Sequence, residues 1–74
     1  MLKQDAATPL YVQLMEEIEK NIKNGTFKPG DKIMTEAEMA KEYGVSLITV
    51  RKAVGSLIDK GLVIRKQGKG TFVT

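Results

Sequence analysis

The run Thr35-Glu36-Ala37-Glu38-Met39-Ala40-Lys41-Glu42-Tyr43-Gly44-Val45-Ser46-Leu47-Ile48-Thr49-Val50-Arg51-Lys52-Ala53-Val54 decides the architecture. Thr35 followed three residues later by Glu38 is a capping box. The threonine hydroxyl accepts from the Glu38 amide while the Glu38 carboxylate accepts from the Thr35 amide, so two donors at a helix start are satisfied together. Met39, Ala40 and Tyr43 give that helix an inward stripe. Gly44-Val45 makes a tight corner, and Ser46 caps a second helix that the spacing carries to about Lys60, before Gly61 stops it. Two helices joined this tightly form a helix-turn-helix unit. On a wheel of about 100° per residue, Val50, Ala53, Val54 and Leu57 share one face of the second helix. Ile48, Lys52, Gly55 and Asp59 fall opposite, with Thr49, Arg51 and Ser56 on the flanks.

Working outward toward the N-terminus, Thr8 is placed to cap a helix whose first turn begins at Pro9, where a missing amide hydrogen costs nothing. Tyr11, Leu14, Ile18 and Ile22 recur at helical spacing, Glu16, Glu17, Lys20 and Lys23 take the other side, and Asn24-Gly25 ends the helix. Pro29-Gly30-Asp31 signals a turn, and Lys32-Ile33-Met34 a brief strand. Toward the C-terminus, Leu62 to Lys66 is β-rich, Gln67-Gly68-Lys69-Gly70 is a turn, and Thr71-Phe72-Val73 is β-rich again. A hairpin with a basic tip after a helix-turn-helix is a wing. The expected fold is mainly α with a small β-hairpin, a winged helix-turn-helix of three helices plus wing. Residues 1–8 read as an N-terminal tail and residues 9–74 as the domain, with Met15, Met34 and Met39 filling core gaps.

Composition narrows the function. A chain of 74 residues holds one domain, and 42% hydrophobic with 28% charged residues are ordinary globular values. No cysteine and no histidine occur, which removes disulfides, zinc fingers and histidine acid-base chemistry together. Glu36, Glu38 and Glu42 are not read as a catalytic or metal cluster, because the capping box already explains Glu38 and no second set of ligands joins them. Gly68-Lys69-Gly70 is not a phosphate loop, since no helix follows the glycines. No enzyme, cofactor or metal is expected. The start Met-Leu-Lys-Gln-Asp lacks the zones of a signal peptide and apolar runs are short, so no membrane is expected and the compartment is the cytoplasm.

Charge is unevenly placed. Residues 1–44 carry six lysines against eight acids, whereas residues 45–74 carry Arg51, Lys52, Lys60, Arg65, Lys66 and Lys69 against Asp59 alone. Either that half is a solvated face or it meets a polyanion. An α-helix fits the major groove of duplex DNA, where residues near its N-terminus reach base edges while its first amides and cap hydroxyl meet phosphate. Ser46, Thr49, Arg51 and Lys52 are so placed. Arg51 can grip a guanine with two bonds or clamp a phosphate, and the alternative is a surface arginine paired with an acid such as Asp59. Ile48 can lie against a thymine methyl or be an ordinary exposed apolar residue. Lys69 between Gly68 and Gly70 lets the turn approach a duplex, against the alternative of a plain hairpin with a solvated lysine. Arg65 and Lys66 read as positioning contacts to phosphate. RNA is disfavoured because the reading surface lacks aromatic side chains for unpaired bases. The alternative from another class is a winged-helix protein–protein interaction module, which exposed Leu47 and Ile48 would suit.

Six landmarks in order carry a resemblance: Pro9-Leu10-Tyr11; Gly25 with Lys28-Pro29-Gly30-Asp31; Glu36 with Glu38-Met39-Ala40; Gly44-Val45-Ser46; Thr49-Val50-Arg51; and Gly68 through Val73. Together they resemble the N-terminal domain of the gluconate-repressor (GntR) family over residues 9 to 73, and the Pro-Leu-Tyr start and Gly-Thr-Phe-Val end resemble its HutC-type branch. The resemblance implies a bacterial transcription regulator, a repressor, dimeric on a two-fold operator. It implies base contact by Arg51 and a wing tip at the minor groove. The residues assigned to DNA are then Thr35, Glu36, Ser46, Leu47, Ile48, Thr49, Arg51, Lys52, Arg65, Lys66, Gly68, Lys69 and Gly70. Family members carry a C-terminal domain for a small-molecule effector, so these 74 residues read as a fragment. Two positions depart from the pattern: Ala37 and Leu47 stand where arginines are frequent, which implies a different operator or a lower affinity.

Overall fold

In the computed structural model, which describes Leu2 and residues 7–74, three helices and a hairpin follow one another. They are α1 (Leu10–Lys23), α2 (Glu36–Tyr43), α3 (Leu47–Asp59), β1 (Val63–Lys66) and β2 (Gly70–Val73). This is the expected three helices plus wing. The capping box at α2 is complete: the Glu38 amide donates to Thr35 Oγ1 at 3.1 Å, and the Thr35 amide donates to Glu38 Oε1 at 2.8 Å. Gly44 closes α2 in the left-handed region at φ 65°, where a side chain would be strained, and this lets α3 start three residues later.

The start of α1 differs from the expectation. Thr8 makes no cap; Pro9 is the N-cap residue with φ −56° and ψ 149°, and no side chain caps the helix. The carbonyl of Thr8 instead accepts from the Gln13 side chain at 2.7 Å. The proline ring fixes φ, but ψ is free to stay extended, so the helix begins one residue later than the proline rule places it. Of the expected N-terminal tail, residues 1 and 3–6 lie outside the described residues, and Leu2 rests against the core.

The brief strand at Lys32-Ile33-Met34 contracts to one antiparallel bridge, Lys32 to Phe72. Its flanks nevertheless bind the free edge of β2. The Gly30 amide donates to the Val73 carbonyl, the Val73 amide to Asp31 and the Ile33 amide to Thr71, each at 2.9 Å. β2 pairs on its other edge with β1 in the register Val63 to Val73 and Lys66 to Gly70. The wing is therefore held on both sides at its base.

The core takes side chains from every element. Val50, Ala53, Val54 and Leu57 of α3 are wholly buried, as the wheel placed them, against Leu14 and Ile18 of α1, Met39 of α2, Ile33, Val63 and Val73. Burial of each of the larger side chains stabilises by roughly 1.5–3 kcal/mol before chain entropy is counted, and of the Ala53 methyl by under about 1 kcal/mol. Across the rim of this core, Lys60 after α3 donates to Glu19 of α1 at 2.9 Å, and Lys23 bonds the other oxygen of the same carboxylate. The hydrogen bonds from Lys60 and then Lys23 hold the Glu19 carboxyl below its ordinary range.

Candidate nucleic-acid interface

α3 is half core and half free surface, and its free half begins at its cap. Ser46 Oγ accepts from the Thr49 amide at 3.1 Å and lies 2.9 Å from Thr49 Oγ1. One of these hydroxyls must donate to the other, which leaves a single hydroxyl hydrogen for an outside acceptor. The amides of Leu47 and Ile48 belong to the first turn and have no acceptor within the helix. A hydroxyl hydrogen and two amides at a helix start are an anion-binding arrangement.

From that turn onward the exposed side chains of α3 form one stripe. Leu47 is 38% exposed and Ile48 77%, so Ile48 stands almost wholly in solvent. Arg51 and Lys52 are exposed one turn further along. Among the described residues Arg51 makes no ion pair, and Asp59 has none either, so the surface pairing considered for it is absent. Lys52 extends back over α1, its Nζ 4.3 Å from the centre of the Tyr11 ring. That contact orients the ammonium without neutralising it.

The wing and the start of α2 form a second cluster. Thr35, Glu36, Arg65, Lys66, Gly68, Lys69 and Gly70, all expected at the interface, line one open cavity of about 440 Å³ together with Lys32, Gln67 and Thr71. Arg65 bonds Glu36 at 3.0 Å, tying β1 to α2. Lys66 lies with its Nζ 4.9 Å from the Phe72 ring centre. The turn closes by a bond from the Lys69 amide to the Lys66 carbonyl at 2.9 Å, with Gly68 at φ 75° and Gly70 at φ 122°. Glu38 is unavailable for other chemistry: the Thr35 amide, then the Thr35 hydroxyl, hold its carboxyl below the ordinary range. Glu36 is likewise occupied by Arg65.

Sequence reasoning named Arg65 and Glu36 without their bond, and it missed Tyr11 and Lys32 as members of these clusters. The Arg65–Glu36 bond spans 29 residues, and nothing local announces it. Tyr11 as the support of Lys52 is equally non-local. Lys32 had a usable signal, because its neighbour Ile33 is a core residue and alternation along an extended segment turns Lys32 outward.

Comparison with known proteins gives the surface its context. The chain is 51% identical over 73 residues to the uncharacterized HTH-type transcriptional regulator YurK of Bacillus subtilis, a match covering 99% of this chain and 30% of that protein. It is 40% identical to the histidine utilization repressor of Klebsiella aerogenes, covering 92% of this chain and 28% of the repressor. The chain thus spans about 30% of the length of these relatives. Among solved structures, AraR(DBD) in complex with operator ORX1 superposes with a TM-score of 0.93 at 40% identity, covering 100% of this chain and 93% of that one. Among the described residues no helix is long and apolar enough to cross a membrane. The family model for bacterial regulatory proteins of the gntR family matches residues 10–73, and the chain belongs to that family.

Proposed function

We propose that residues 9–74 bind double-stranded operator DNA sequence-specifically, with α3 in the major groove and the wing at the minor groove, as the DNA-reading part of a transcriptional repressor. The observation that carries this reading is Arg51. It stands exposed in a stripe that starts from a capped helix end, and no acid within the described residues takes its charge. The operator complexes of AraR(DBD), at 40% and 43% identity, support it. Ser46, Thr49 and the first amides of α3 meet phosphate, Arg51 and Ile48 face base edges, and Lys52 flanks them. Thr35, Glu36, Leu47, Arg65, Lys66, Gly68, Lys69 and Gly70 complete the contact surface. The regulator acts in the cytoplasm as a dimer on a two-fold operator, and a small-molecule effector reaches it through a C-terminal domain beyond these 74 residues. Catalysis has no part in this reading.

Exposed Ile48 and Leu47 favour one second reading, a winged-helix module that binds protein. Selection from a pool of random duplexes, followed by retesting across a salt series, separates the two. Enrichment of a half-site pair whose affinity falls as salt rises supports DNA reading. No enrichment at low salt and high protein concentration, with a dimerising fusion attached, refutes it and leaves the protein-binding module.

A further inference from the structure

We propose that the cavity beside the wing is a seat for a phosphate group, that a phosphodiester of the duplex backbone occupies it, and that Lys32 is the residue that completes it. The inference rests on the duplex-binding reading above. Lys32 lies on the extended segment bridged to Phe72, exposed where its neighbour Ile33 is buried. Its stem runs across the bare face of Gly70: a methyl group built there would meet Lys32 Cε at 2.8 Å and its Nζ at 3.7 Å. The ammonium thus passes over the missing side chain of Gly70 into the cavity that Arg65, Lys66 and Lys69 also line. The φ of 122° at Gly70 favours glycine, and the flexible end of Lys32 occupies the space that its bare face leaves.

The nearby acids are already committed. Glu36 is bonded to Arg65 at 3.0 Å, and Glu38 to the Thr35 amide at 2.8 Å. Lys32 and Lys69 therefore have no ion-pair partner among the described residues, and Lys66 has only the face of Phe72. Three ammonium groups without an ion-pair contact, of which Lys32 feels only the longer-range field of the Glu38 carboxylate, surround one concavity and repel one another until an anion enters. A phosphate supplies several acceptor oxygens at once, and the thirteen residues read from sequence as DNA contacts did not include Lys32.

The test compares the domain with Lys32→Met, which keeps most of the stem, and with Lys41→Met, which removes an equal charge from an exposed position on α2 outside the cavity. Binding to the selected duplex and to a scrambled one is followed by fluorescence anisotropy across a chloride series. Loss of one phosphate contact makes the slope of log K against log salt shallower by about 0.9, so a fourfold rise in salt weakens the unsubstituted domain about 3.5-fold more than Lys32→Met. The loss should be the same on both duplexes, and Lys41→Met should keep the original slope. An unchanged slope in Lys32→Met, or an equal change in Lys41→Met, overturns the proposal while leaving duplex binding intact. Saturable binding of inorganic phosphate at fixed ionic strength, lost in Lys32→Met with the duplex slope unchanged, would assign the cavity to free phosphate and overturn its occupation by the backbone. Failure of the unsubstituted domain to bind any duplex refutes the parent reading and this one together.

Discussion

Arg51 can be tested in a way that separates reading from holding. Its side chain is exposed and makes no ion pair among the described residues, so replacing it removes no contact that supports the fold. Arg51→Lys and Arg51→Ala should therefore leave stability within about 0.5 kcal/mol in urea melts. Lysine keeps the charge but loses the planar fork that grips O6 and N7 of guanine. A good two-pronged contact is worth about 1–3 kcal/mol of discrimination, which is about 5- to 160-fold at room temperature. The ratio of affinities for the selected duplex and for one with the contacted guanine replaced should fall by that factor in both variants. Only Arg51→Ala should also lower the salt slope, because Arg51→Lys still places a cation in the groove. Anisotropy titrations of both duplexes measure both quantities. If Arg51→Lys discriminates as the unsubstituted domain does, the guanidinium fork reads no base and Arg51 is a phosphate clamp.

Three further outcomes are expected. Gly55 lies inside α3 with no atom within 4 Å of where a Cβ would stand, so Gly55→Ala should stabilise the domain by about 0.5–1 kcal/mol, read as a higher urea midpoint at unchanged slope; a lower midpoint would refute this. Leu57 is wholly buried, so Leu57→Ala should cost about 3–5 kcal/mol and lower Tm by well over 10 °C in a thermal melt, and a smaller shift would mean that the core closes over the cavity. Glu38 has a folded-state pKa below its ordinary value of 4.5, so its contribution is present in full above that value and is lost as pH falls through the folded value. The Tm advantage of the native chain over Glu38→Gln should accordingly hold at neutral pH and shrink below about pH 4.5; a gap independent of pH would show that the charged carboxylate adds nothing to the cap.

The parts of the fold that are legible in sequence are those fixed by near neighbours. The Thr35–Glu38 box, the Ser46 cap and the Gly44 corner depend on residues at most four apart, and the four buried positions of α3 follow from a period that any amphipathic helix obeys. At Pro9 the same local logic erred by a residue, because ψ is set by where the chain comes from and not by the proline ring. The candidate site was legible residue by residue but not as an arrangement. That Glu36 answers Arg65, that Tyr11 backs Lys52 and that Lys32 crosses Gly70 are consequences of folding, joining segments whose separation carries no periodic trace.

The wing's double anchorage has a dynamic consequence. Ile33, Val63 and Val73 bury their side chains in the common core, and β2 is paired along both its edges, so the base of the hairpin belongs with the core in its expected protection against opening. Residues 67–69 share none of these restraints except one bond across the turn. The hairpin thus joins a rigid stalk to a pliant fingertip. With the wing at the minor groove, as proposed, such a fingertip would follow variations in groove width at little cost, while the stalk would keep it aimed at the same place on every duplex.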